Sequence, residues 1–233
     1  SCSALRAMLT EGGRVYATLN ALREHGLLYR LVPEFAGLHC LVQFEFYHRW
    51  TADVHTLRCL WELDAIYAAA TPVEERYRSV VLGTEAPSLL YAILFLHDIA
   101  KSGGIEGHAE RGVPMADVIL KRLGFDHRER AIAAGVIRHH LVMGLYWQRH
   151  DVDDPANIER FARLVGDDQV PVAGGELLGV TAQHAVGRHH DVAWSDAVHA
   201  ALAAAMTERR LDVLQAKRRP VYVVWELTLR CDQ

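Results

Sequence analysis

At 233 residues, with 51% hydrophobic and 23% charged side chains, the chain is long enough for one large or two small domains. Its composition is that of a globular protein rather than a fibrous or disordered one. A net charge of −4 with no block of like charges denser than Lys217-Arg218-Arg219 argues against a nucleic-acid partner. The apolar run Leu89 to Leu96 is far shorter than the ~20 residues of a membrane helix, and no basic segment followed by an apolar stretch opens the chain. A cytoplasmic location is therefore expected. Cys2, Cys40, Cys59 and Cys231 form no CxxC pair, so free thiols in a reducing compartment are expected as well. The 14 histidines are the compositional anomaly.

Helical spacing of apolar residues from Ala4 to Arg30 predicts two short helices broken at Gly12-Gly13. Val32-Pro33-Glu34-Phe35 reads as a turn. Thr51 is a suitable N-cap for a helix carrying Asp53, His55, Leu57, Leu60, Leu63 and Ile66, ending before Thr71-Pro72. Pro87 can start a helix whose run Ser88 to Leu96 is apolar on every side, which requires burial all round. That helix ends at the polar pair His97-Asp98. After a loop at Lys101-Ser102-Gly103-Gly104, helices are predicted over His108–Leu123, Asp126–His140, Ala156–Val165 and Glu176–Ala205. Val221–Leu229 is the one convincing strand pattern, because Val and Tyr cluster there. The predicted class is all-α, a bundle of about eight to ten helices with a short extended C-terminal tail.

The residues that carry chemistry are His55, His97-Asp98, His108, His140 and His184. Imidazole and carboxylate are ligands that divalent transition metals accept, and helix ends meeting in a bundle can converge them. A carboxylate at the end of a buried helix carries a large desolvation cost unless a metal or a partner compensates it. The structural alternative is a hydrogen-bonded network. His139 is expected to face away from His140, since neighbours on a helix point about 100° apart. Asp53 in a first turn also suits the helix dipole without any chemistry. Lys101 can serve a phosphate or simply be a solvated loop residue. His150 and His189-His190-Asp191 read as surface.

Leu31-Val-Pro-Glu-Phe35, His48-Arg-Trp-Thr-Ala-Asp-Val-His55-Thr-Leu, Leu96-His-Asp-Ile-Ala-Lys101, Gly107-His-Ala-Glu and His140-Leu-Val-Met resemble the HD superfamily of metal phosphohydrolases. The nearest branch is the HD domain of bacterial PII uridylyltransferase/uridylyl-removing enzymes. The resemblance runs from about Leu19 to Ala205. It implies an HD helical bundle over 31–210, preceded by a helical extension over 1–30. It also implies that His55, His97 and Asp98 are primary metal ligands and that His108 and His140 hold a second metal. Asp98 and Lys101 would act in catalysis, and His48, Asp53 and Glu110 would support the ligands.

The implied cofactor is one or two divalent ions, among iron, manganese, zinc, cobalt, nickel and magnesium. The implied substrate is a phosphorylated small molecule, a nucleotide or a nucleotidylated protein. Val180-Thr-Ala-Gln-His184 stands where the family carries its late Asp, so His184 would replace a carboxylate ligand and change the charge of the site; Asp191 is the other candidate. Pro220 to Cys231, within the tail 211–233, resembles the opening strand of a radical SAM domain. That points to a fusion with such a partner and to a competing reading, a regulatory HD module with weak turnover.

Overall fold

The computed structural model describes residues 2–42, 50–68, 81–82, 87–142 and 149–150, together with Glu75, Arg78, Ala156, Asn157 and Arg160. Among them are seven α-helices: α1 (Cys2–Met8), α2 (Val15–Glu24), α3 (Leu28–Leu31), α4 (Ala52–Ala68), α5 (Pro87–Leu96), α6 (His108–Arg122) and α7 (His127–His139). Two 3-10 segments, Pro33–Leu38 and Lys101–Gly103, lie between them, and Glu75, Arg78, Val81, Leu82, Val142 and Arg149 are helical as well. No strand occurs among the described residues, and the all-α expectation holds. The predicted helix over Glu176–Ala205 and the strand over Val221–Leu229 lie outside the described residues, as do His48 and His184. Ala156, Asn157 and Arg160, within the predicted helix over Ala156–Val165, are helical. No described helix is long and apolar enough to cross a membrane.

Helix α5 occupies the centre. Ser88 through Leu96 are all buried, as an apolar run with no polar face demands, and each fully buried leucine contributes roughly 1.5–3 kcal/mol. Helices α4 and α7 pack against it, α2 packs against α4, and α6 against α7. Phe35 stacks on Phe95 with ring centroids 4.6 Å apart, joining the 3-10 segment to the central helix. The core runs without interruption from Leu5 on α1 and Leu9 just after it to Val136 and Ile137 on α7.

Three helices precede residue 32 where apolar spacing predicts two. The break at Gly12-Gly13 is present, but Gly26 also takes a left-handed φ of 66°, which ends α2 and lets α3 restart at Leu28. Helix α7 starts with a capping box: the Asp126 side chain accepts from the Glu129 N–H, and the Glu129 carboxylate accepts from the Asp126 N–H. Helix α2 has no side-chain cap of its own. Asp64, on α4, caps it instead, accepting from the N–H groups of Gly13 (3.1 Å), Val15 (3.3 Å) and Tyr16 (2.7 Å) and from the Tyr91 hydroxyl (2.6 Å).

Candidate metal centre

Four helices deliver five functional groups to a common point beside the end of α5. His55 lies in the first turns of α4. His97 and Asp98 follow the last residue of α5, His108 opens α6, and His140 follows α7. Gly107, with a left-handed φ of 67°, turns the chain into α6; a side chain there would be strained, and its Cβ would come within 3.2 Å of the Arg111 guanidinium. At Gly112, an added Cβ would stand 3.4 Å from Ile137 and 3.8 Å from the His97 carbonyl. Those are ordinary van der Waals distances, so α6 lies in direct contact with α7 and the end of α5 at this point.

Asp98 is 1% exposed and divides its carboxylate between two sets of neighbours. Its Oδ2 lies 3.1 Å from His97 Nε2, 3.6 Å from His55 Nε2 and 2.8 Å from Lys101 Nζ. Its Oδ1 lies 3.1 Å from His108 Nε2 and 3.4 Å from His140 Nε2. Despite these short separations, neither oxygen accepts a properly directed hydrogen bond. Lys101 supplies positive charge to this carboxylate, and the imidazoles approach it without aligned N–H groups.

Three of the rings are oriented from behind in the same way. The Nδ1–H of His97 donates to the Leu94 carbonyl (2.7 Å), that of His108 to Ile105 (2.6 Å) and that of His140 to Ile137 (2.6 Å). A carbonyl can only accept, so Nδ1 carries the proton, and in the neutral ring Nε2 presents a lone pair to the centre. His108 Nε2 and His140 Nε2 stand 3.2 Å apart, two lone pairs beside a carboxylate. Only positive charge between them makes that arrangement favourable. It can arrive as a proton or as a metal ion competing for the same positions. The C-terminal ends of α5 and α7 both face this point, and their dipoles favour a cation there.

The electrostatics agree. Burial alone would raise the Asp98 carboxyl, but the His97 imidazole, the Lys101 ammonium and the facing imidazoles of His108 and His140 together outweigh it and hold the group well below the usual carboxylate range. Burial pushes the His140 imidazole below its ordinary value, toward the neutral form that binds metal. Two buried groups of donors could hold a metal ion, Asp98 with His108 and His140, and His55 with Cys59 and His97; within each, the donor atoms lie within 4.8 Å of one another. A cation held by two nitrogens at 2.0–2.1 Å with tetrahedral angles sets them about 3.3 Å apart, close to the His108–His140 separation.

The structure therefore brings together His55, His97, Asp98, Lys101, His108 and His140. Lys101 is buried at 6% exposure rather than solvated in a loop, and its segment is a 3-10 turn. Asp53 is buried but faces a different set: its Oδ2 lies 3.4 Å from the Tyr29 hydroxyl, 3.5 Å from His39 Nδ1 and 3.8 Å from Arg23 Nη1. Beside it, burial first and the Asp53 charge second push the Tyr29 hydroxyl up to about 12. Glu110 is exposed, and among the described residues no hydrogen bond or ion pair joins it to the cluster. His139 is half-buried where His140 is buried, and His150 is exposed. The residue missed in the sequence is Cys59. The signal was available, since Cys59 lies four residues after His55 on a single helix and so shares its face.

A buried histidine–aspartate centre at the meeting of helix ends in an all-α bundle defines the class of this chain: a helical domain with a metal-binding type of donor set. No family model matches it. The chain is similar to the bifunctional uridylyltransferase/uridylyl-removing enzyme of Caulobacter vibrioides, 34% identical over 167 residues that cover 71% of this chain and 18% of that protein. Homologues of the same name occur in Phenylobacterium zucineum (35% identity, 68% of this chain, 17% of that protein) and Acinetobacter baumannii (34%, 66% and 17%). The chain thus spans less than a fifth of the length of these relatives.

Proposed function

We propose that this chain is a metal-dependent phosphohydrolase domain of the HD superfamily, acting on a phosphodiester or phosphomonoester of a nucleotide or of a nucleotidylated protein. The observation that carries the reading is the buried Asp98 carboxylate, flanked by four imidazole Nε2 atoms within 3.6 Å and lacking a directed hydrogen bond at either oxygen. Similarity to enzymes named uridylyl-removing supports hydrolysis of a nucleotidyl bond. The domain would occupy 31–210, with 211–233 leading into a radical SAM partner.

In this reading His55, His97 and Asp98 would hold one cation and Asp98, His108 and His140 another, with His184 as a further ligand. A divalent cation bound there supplies Lewis acidity toward a phosphoryl oxygen and toward the attacking water. Asp98, already bordering both groups of nitrogens, fixes their relative position and can accept a hydrogen bond from that water at the oxygen that faces it. Lys101, whose ammonium lies 2.8 Å from Asp98, offers the remaining positive charge to a phosphate. The carbonyls of Leu94, Ile105 and Ile137 keep three rings in the tautomer that ligates, and such partners behind a ligand typically alter metal affinity or activity by about 10–100-fold.

The test is elemental analysis of wild-type protein beside the His97→Ala Asp98→Ala double variant, followed by hydrolysis assays with aryl phosphoesters, nucleotides and a uridylylated protein. One or two equivalents of transition metal in the wild type alone, with hydrolysis that follows the metal, is the expected result. Metal without turnover on any of these substrates would support the regulatory reading.

A further inference from the structure

Cys59 sits one turn after His55 on α4, fully buried. Its Sγ lies 3.8 Å from His55 Nε2, and the donor atoms of His55, Cys59 and His97 all fall within 4.8 Å of one another. We propose that Cys59 is a metal ligand, its thiolate joining the imidazoles of His55 and His97 to hold one cation of borderline or soft character next to the Asp98–His108–His140 position. This inference rests on the metal-dependent reading above and adds a thiolate ligand to its His55–His97 position.

The separations suit this role. A cation with sulfur at about 2.3 Å and nitrogen at about 2.0–2.1 Å, at tetrahedral angles, sets the two ligand atoms about 3.6 Å apart. Helix spacing alone brings Cys59 beside His55, but His97 comes from the end of α5, so it is tertiary packing that completes the three-donor set. A second observation points the same way. Asp98 Oδ2, buried, without a directed hydrogen bond and 2.8 Å from the Lys101 ammonium, faces both His55 and His97 and places its carboxylate on the same side of the centre. When the sulfur–metal bond forms, the thiol proton passes to solvent water and no oxidation state changes. The thiolate makes this position select zinc, iron(II) or cobalt(II) over magnesium, whereas the carboxylate and imidazole position is less selective.

The test is titration of the metal-free protein with cobalt(II), followed by absorption spectroscopy, for the wild type, for Cys59→Val, and for a triple variant, Cys2→Ser Cys40→Ser Cys231→Ser, that keeps Cys59. The expected result is a near-ultraviolet thiolate-to-cobalt charge-transfer band in the wild type and the triple variant. It is absent in Cys59→Val, where cobalt affinity falls by about 10-fold or more. Cobalt uptake with visible ligand-field absorption but no charge-transfer band in the wild type overturns the assignment of Cys59 and leaves the metal-dependent reading intact. A band that disappears in the triple variant overturns it as well. No cobalt uptake by the wild type overturns both. The wild-type and triple-variant spectra decide the matter even if Cys59→Val does not fold.

Discussion

Asp64 and Asp98 are both carboxylates set among helices, and they are surrounded in opposite ways. Asp64 accepts four directed hydrogen bonds, three from backbone N–H groups at the start of α2 and one from Tyr91. Asp98 has five nitrogens within 3.6 Å and no directed hydrogen bond at either oxygen. Neutral donors aimed at a carboxylate complete it, and such a group holds structure together. Imidazole lone pairs gathered around a carboxylate leave the set short of positive charge, which invites a cation. The same residue type thus serves as a clamp in one place and as a seat in the other.

The sharpest way to break this contrast is Asp98→Asn. It should abolish stoichiometric metal uptake and, in metal-free protein, cost about 3–5 kcal/mol by leaving the buried Lys101 ammonium without its counter-charge. Metal analysis and denaturant unfolding check it; unchanged metal content would make Asp98 a structural group like Asp64. Asp64→Ala should cost about 2–4 kcal/mol, from loss of the α2 cap and an unsatisfied Tyr91 hydroxyl. Metal content should stay at the wild-type level, and a loss of metal would show that the two regions are coupled.

The pH dependence carries opposite signs at two carboxylates. Burial raises the Asp64 carboxyl above its ordinary value, so the folded state holds that proton more tightly than the unfolded one. The stability gap between wild type and Asp64→Asn should therefore widen in favour of the wild type as pH falls toward 3.8. At Glu34, hydrogen bonds from Arg122, both 2.8 Å, hold the carboxyl below its ordinary value. The stabilisation it gives is present above pH 4.5 and is lost as pH falls through and below that value, so the gap to Glu34→Gln should close. Unfolding midpoints over that range test both signs. The smallest effect is Glu34→Gln at neutral pH, under about 1 kcal/mol, because the pair is partly solvent-exposed; a larger thermal shift would give this bridge a role beyond that of a surface pair.

Much of the architecture could be read before any coordinates. The apolar run Ser88–Leu96 required a helix buried on all sides, and α5 is that helix. The spacing after Thr51 gave α4 almost to the residue, and His97-Asp98 at the end of a buried helix marked the centre. Other features were not legible. Asp53 looked like a supporting group for His55, yet residues two apart on a helix point about 200° apart, and Asp53 faces Arg23, Tyr29 and His39 instead. Lys101 read equally well as a solvated residue, and only its burial against Asp98 decides its place.

Sequence alone determined the quantities that repeat along the chain from Thr51 to His140: the helical segments named there, their apolar faces and the histidines that end or begin helices. Those follow from local geometry, since residues three and four apart share a face whatever lies opposite. Tertiary packing decided the partnerships across the bundle: Asp64 capping a helix about 50 residues earlier in the chain, three backbone carbonyls fixing three imidazoles, and Cys59 beside His97. These depend on how closely and at what angle helices cross, as at Gly112, where α6 meets both α7 and the end of α5. No local pattern encodes that approach, because it is set by the side chains of every helix that meets there.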